Sequence, residues 1–175
     1  METPTVVAKA LTLNTNNCVY PALQGLTDAD LLKRPGEQCN PIGWLLWHQT
    51  RAEDAICSHI SGTPQIWITG KWHEQFHRPA DPQDFGAGHS LAQVMALQPT
   101  LAALQDYAAA VREKTLAVLQ PLTPADLERE LPSLRGSGHT TVGDLLGILM
   151  IDQFQHSGQI AYLRGYLTGQ GWFPL

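Results

Sequence analysis

The chain has 175 residues, 43% of them apolar and 15% charged, so it can bury about 70% of the surface its unfolded form exposes without disulfide support. That balance excludes a disordered or purely solvating protein. Eleven Lys and Arg against sixteen Asp and Glu give a net charge of -5 with the positive charges dispersed, whereas a nucleic-acid binder is expected to carry a basic stripe. No nucleic-acid partner is expected.

The first helical pattern runs from Thr5 to Gln24 and ends at Gly25, with Val7, Leu11, Cys18 and Leu23 among several Asn. A second opens at Asn40-Pro41, an N-cap followed by proline at the first helical position, and continues from Ile42 to Ile60 before Ser61-Gly62-Thr63-Pro64 stops it. The third extends from Ser90 to Leu119 with a break or kink at Pro99, and the fourth from Thr140 or Thr141 to Leu167, closed by Gly169. Gln65 to Thr69 is a short strand candidate with nothing to pair with, so the fold class is all-α. The connection over residues 61 to 89 exceeds the roughly 2–8 residues usual between antiparallel bundle neighbours. It predicts a four-helix bundle of up-down-down-up form, with a long crossover between helices two and three, in a single domain over residues 1–175. A second long connection, Gln120 to Gly138, holds the short Ala125-Glu130 turn.

Cys18, Cys39 and Cys57 are odd in number and lack a Cys-x-x-Cys pair, which fits neither a disulfide framework nor a zinc finger and points to a reducing cytoplasm. Met1-Glu2-Thr3-Pro4 has no basic region leading into an apolar core, so no secretory signal is expected. The longest charge-free stretches are interrupted by Asn, Gln, Gly or Pro, so no membrane partner is expected either.

Ionisable residues interrupt the apolar seams. On helix four the core stripe passes through Val142, Leu145, Leu149, Asp152, His156, Ile160, Leu163 and Leu167, which puts Asp152 and His156 one turn apart on the inward face. On helix two the line is Leu45, His48, Ala52, Ala55 and His59. Such groups must be hydrogen-bonded, paired, protonated or bound to a metal when buried. A divalent cation satisfies all three of His48, Asp152 and His156; an ion pair of Asp152 with His156, with His48 bonded elsewhere, is the plainer alternative. His73-Glu74-Gln75-Phe76-His77 matches the zinc-peptidase pattern His-Glu-x-x-His. That pattern needs a long anchored helix, however, and Gly70 and Pro79 leave room for two turns at most. An adventitious surface metal site is the better expectation for His73 and His77.

Two segments, Asn40-Pro41-Ile42-Gly43-Trp44-Leu45-Leu46-Trp47-His48-Gln49-Thr50-Arg51-Ala52-Glu53-Asp54 and Asp152-Gln153-Phe154-Gln155-His156-Ser157-Gly158-Gln159-Ile160-Ala161-Tyr162-Leu163-Arg164-Gly165, resemble the signature helices of the DinB-like superfamily. Lys71-Trp72, Gly86-Ala87-Gly88-His89 and Thr141-Val142-Gly143-Asp144-Leu145-Leu146 also fit. The resemblance implies an up-down-down-up four-helix bundle, often a homodimer, with a divalent metal held by one residue of helix two and two of helix four. Carried onto this chain, those residues are His48, Asp152 and His156. Many members have His where this chain has Asp152, and the related mycothiol-dependent maleylpyruvate isomerases have Glu. The shorter Asp leaves open direct ligation, ligation through water, or a supporting bond to a ligated histidine.

Two imidazoles and a carboxylate leave coordination positions for water or a small-molecule substrate, with zinc or nickel the leading metals and iron or manganese the alternatives. The resemblance implies thiol chemistry, in which a thiol such as mycothiol, bacillithiol or glutathione is activated at the metal and attacks an electrophile. A metal-dependent thiol S-transferase is therefore the leading expectation. A metal-dependent hydrolase and a non-catalytic dimeric stress-response bundle with a vestigial site are the alternatives. Gln159 is a candidate partner of a ligand. Arg51 either binds an anionic thiol or substrate or pairs with Glu53, Asp54 or Asp144, Arg164 is structural, and Trp44 and Trp47 are read first as core or interface aromatics.

Overall fold

The computed structural model describes residues 3–134 and 136–169, which are mostly helical. The first predicted helix is divided: α1 (Thr3–Asn14) passes into a π-helical turn, Thr15–Val19, and then α2 (Tyr20–Leu23). The Tyr20 N–H closes on the Thr15 carbonyl. Pro21 accounts for the wide turn, because an interior proline offers no N–H and its ring crowds the carbonyl one turn back. The Asn-rich stretch is held by tertiary bonding: buried Asn14 donates from Nδ2 to Ser157 Oγ at 2.8 Å.

A single turn, α3 (Asp28–Leu31), precedes α4 (Ile42–Ser61). Pro41, not Asn40, occupies the N-cap position, and no side chain caps this end. Gly62 stops α4 in the left-handed region at φ 69°, where the N–H groups of Gly62 and Thr63 both reach the Ser58 carbonyl. The crossover that follows contains two more turns, α5 (Ile66–Thr69) and α6 (Trp72–Gln75). The candidate strand at Gln65 to Thr69 is thus helical. Its N-terminus is capped from α4, where the Asp54 carboxylate accepts from the N–H of Ile66 at 3.1 Å and of Trp67 at 2.9 Å.

Pro99 breaks the third helical segment as predicted, into α7 (Leu91–Ala96), capped by Ser90, and α8 (Leu101–Leu119), capped by Thr100. The second long connection holds a 3-10 turn (Pro124–Glu128) and an antiparallel hairpin of β1 (Glu130–Pro132) with β2 (His139–Thr141), Leu131 opposite Thr140. Strands of three residues, one ending in proline, are too short to show alternation in the sequence. The last helix, α9 (Val142–Thr168), starts at a Thr141–Asp144 capping box and ends at Gly169, φ 70°. Among the described residues no helix is long and apolar enough to cross a membrane.

α4 packs on both α8 and α9, α1 packs on the same two helices, and the crossover covers what remains of α4. Sequence periodicity assigned α4 one buried side, yet all its residues except His59 and Ser61 are buried. The core falls into two apolar clusters. One gathers Leu46, Trp47, Trp67, Tyr107 and Ile160; the other gathers Leu11, Ile56, Leu119, Val142 and Leu149. Between them every long helix turns polar: His48 to Asp54 on α4, Arg112 to Thr115 on α8, Asp152 to Ser157 on α9. Within this belt Arg112 forks onto Glu53, with both bonds at 2.8 Å, and Gln153 donates to the Gln49 carbonyl at 2.7 Å.

Candidate metal centre

The belt brings His48, Asp152 and His156 together. One ligand atom from each lies within 4.8 Å of the others, and among the described residues this is the group of His, Cys, Asp and Glu able to hold a metal ion. Asp152 Oδ1 stands 3.5 Å from His48 Nε2 and 3.5 Å from His156 Nε2. Ligand atoms bound at about 2.0–2.1 Å in a tetrahedron are about 3.3 Å apart, so the two Asp152 contacts have the spacing of donors around an ion. His48 is buried and the other two side chains are largely so.

The outer face of each imidazole fixes what the inner face presents. His48 Nδ1 bonds to the Phe85 carbonyl, which only accepts, so Nδ1 carries the hydrogen and Nε2 keeps its lone pair. His156 Nδ1 donates to Gln159 Oε1 at 2.7 Å with the same result. Two lone pairs and a carboxylate then face one another, and the arrangement calls for a cation among them. Asp152 Oδ2 is buried with no hydrogen-bond partner, a further acceptor facing the same need. A proton satisfies one of these contacts, while a divalent ion satisfies the set, so the donors present fit a divalent metal ion.

The electrostatics agree. Burial acts to raise the Asp152 carboxyl, but the hydrogen bonds to His156 and His48 prevail and hold it below the usual carboxylate range. Burial acts to lower His156, and the bonds to Asp152 and Gln159 prevail and raise it. Without metal the same contacts favour a pairing of Asp152 with His156, the alternative that the sequence also allowed.

The crossover builds the back wall. Trp44 stacks on His48, ring centroids 4.8 Å apart at 9°, and its Nε1–H donates to His89 Nδ1 at 3.2 Å. His89 in turn donates from Nε2 to Asp84 Oδ1 at 2.7 Å, and Asp84 is paired with Arg78 at 2.7 Å. Gly86 passes so close that a Cβ would stand 2.9 Å from Trp44 Cζ2 and 3.0 Å from His48 Nδ1. Sequence reasoning gave Phe85 and Asp84 no role and placed His89 only in the Gly86-Ala87-Gly88-His89 stretch that fits the resemblance. The signal for them was Gly86, since a glycine beside a functional stretch marks close backbone approach.

A profile of the DinB superfamily matches residues 17–160. The chain belongs to the DinB superfamily. No curated protein sequence matches it. The crystal structure of a conserved protein from Enterococcus faecalis is similar at a TM-score of 0.83 and 22% identity, covering 97% of this chain and 99% of that one, which shows a shared fold.

The other predicted residues of this DinB-superfamily chain separate clearly. Gln159 touches the triad through His156. Arg51 makes no contact with it: the guanidinium is fully buried, 3.6 Å from Asp54, bonded to Gln65 and to the Asp84 carbonyl, and 4.5 Å over the Trp67 ring. Arg164 bonds the Ala22 and Gln24 carbonyls, a structural role as expected. His73 and His77 share no helical face, because α6 ends at Gln75 and His77 has φ 51°. Trp47 is fully buried core, whereas Trp44 serves both the core and His48.

Proposed function

We propose that this protein is a cytoplasmic metal-dependent enzyme in which His48, Asp152 and His156 hold a divalent ion, zinc or nickel, and a small thiol attacks an electrophile beside it. The reading rests above all on the paired 3.5 Å contacts of Asp152 Oδ1 with two imidazole Nε2 atoms whose Nδ1 groups are already engaged. When bound, the ion supplies a Lewis acid that lowers the pKa of a thiol or water at an open position. The chain's own residues do the rest. Phe85 and Gln159 fix the histidine tautomers, Asp152 supplies the negative charge, and Trp44 with the Gly86 backbone excludes water from one face of His48.

The proposal includes a single domain over residues 1–175, folded as an up-down-down-up bundle. The order in which the helices run between the two apolar clusters supports this: α4 and α8 pass from the Trp47 cluster to the Leu149 cluster, and α9 and the segment from α1 through α2 run the other way. It also includes a homodimer, supported by the exposed apolar residues Ile148, Ile151 and Phe154 on α9.

Metal analysis of the purified protein tests the ligands, beside His48→Ala, His156→Ala and a His73→Ala/His77→Ala double variant. Stoichiometric metal lost in the first two and kept in the third is expected; the reverse pattern rejects the site. Glutathione, bacillithiol or mycothiol supplied with a generic electrophile is expected to give metal-dependent conjugate. Metal-dependent ester or amide hydrolysis without conjugate identifies a hydrolase instead.

A further inference from the structure

Beside the triad lies an open groove of ≈ 510 Å³ between the residues preceding α4 and the outer face of α9. That is within the roughly 300–1,000 Å³ of small-ligand sites. Leu45 and Leu163 give it an apolar floor, Asn40, Gln155 and Gln159 line it with amides, and Tyr162 forms an exposed wall. No residue lining it carries a charge.

None of the three triad residues lines the groove, but the residues next to them do. Gln159 lines the groove while its Oε1 accepts from His156 Nδ1 at 2.7 Å, and Leu45 stands one turn before His48 on α4. Gly158 lies in the interior of α9, and a Cβ built there meets no atom within 4 Å. Glycine is a poor helix former, and here no close packing requires it.

We propose that this groove binds the electrophilic substrate, and that this substrate is an uncharged molecule with an apolar or aromatic body and an amide-like hydrogen-bonding group. Apolar contact with Leu45, Leu163 and the Tyr162 ring supplies the attraction, and the Asn40, Gln155 and Gln159 amides both donate and accept. A carboxylate, phosphate or ammonium group meets no counter-charge from these walls and loses water on the apolar floor. The inference rests on the metal reading only in naming the ligand a substrate.

Benzamide, benzoate and benzamidinium have one shape and three charges, and serve as probes. Each is titrated into isotope-labelled protein, first as purified and then after metal removal, with backbone amide shifts as readout and metal content measured on the same sample. Benzamide is expected to shift Gln155, Gly158, Gln159 and Tyr162 saturably, and to bind metal-free protein at least about tenfold more tightly than either charged analogue. The variant Gly158→Leu, which fills the groove without a backbone clash, is expected to abolish those shifts while its metal content stays unchanged. Equal or tighter binding of a charged probe to metal-free protein overturns the inference, as does the absence of benzamide shifts at these residues. Loss of dimer in Gly158→Leu with benzamide binding intact also overturns it, and assigns the groove to a second copy of the chain. Metal present without groove binding rejects this inference alone; groove binding in a protein that takes up no metal rejects the metal reading alone.

Discussion

Trp44 lies flat on His48, ring centroids 4.8 Å apart and planes 9° from parallel. One turn of helix separates the two residues, and the crossover locks the pair, since the indole N–H is held by His89 and the imidazole Nδ1 by Phe85. The imidazole therefore has no freedom to turn its lone pair from Asp152. Replacing Trp44 by Leu removes the stacked plane, and metal affinity is expected to fall about 10–100-fold, as for the loss of other supporting contacts around metal ligands. Trp44→Phe, which keeps a ring, is expected to stay near wild type. Competitive chelator titration separates the two, and equal loss in both contradicts a role for stacking.

Gly86→Ala is a sharper test of the crossover. At φ 95° an alanine is strained, and its Cβ would stand 3.0 Å or less from Trp44, His48 and Trp47. The expected cost is about 1–3 kcal/mol in urea denaturation, with weakened metal binding as the Phe85 carbonyl withdraws from His48. Unchanged metal affinity in a folded Gly86→Ala protein contradicts the Phe85 contact.

Asp54 holds the crossover to α4. It is fully buried, caps α5 through two backbone N–H groups, accepts from the Tyr107 hydroxyl at 3.0 Å, and is paired with Lys114 at 3.3 Å and Arg51 at 3.6 Å. Asp54→Ala strands two cations and two amides. Denaturation is expected to show a loss of about 3–5 kcal/mol, the range for breaking a buried ion pair. A loss below about 1 kcal/mol, the scale of a surface pair, contradicts this anchor.

The raised His156 and lowered Asp152 set a pH dependence. In metal-free protein the imidazolium contribution to stability is present below the ordinary histidine pKa and lost as pH rises through the raised value. The carboxylate contribution is present above its ordinary pKa and lost as pH falls through the lowered one. Their pair is therefore strongest between the two. Metal competes with the His156 proton, so affinity is expected to rise with pH by up to about tenfold per unit and level off above the raised pKa. Calorimetry in buffers of different ionisation enthalpy counts the released proton. Affinity that falls as pH rises contradicts the assignment of His156 Nε2 as a donor.

The long helices and the convergence of His48, Asp152 and His156 were legible in the sequence because each rests on a local rule. Thr141 with Asp144, Gly62, Gly169 and Pro99 mark helix limits through backbone chemistry, and the steps from Leu149 to Asp152 to His156 follow helical spacing. What was not legible depends on contacts distant in sequence. Gln65 to Thr69 is a helical turn because Asp54 caps it, and α4 is buried all round because the crossover folds back over it. Arg51 looked available for an anion, and only the tertiary structure shows its guanidinium surrounded by Asp54, Gln65, Tyr107 and Trp67. The hairpin of β1 and β2 is too short for any periodicity to declare it.

The most direct test of the metal centre is an anomalous-scattering map from crystals of protein purified without chelator and supplied with zinc or nickel. A single strong peak in contact with His48 Nε2, His156 Nε2 and the Asp152 carboxylate is the predicted result. A peak at His73 and His77 with none at the triad, or a triad bridged by nothing but water in the presence of metal, contradicts it.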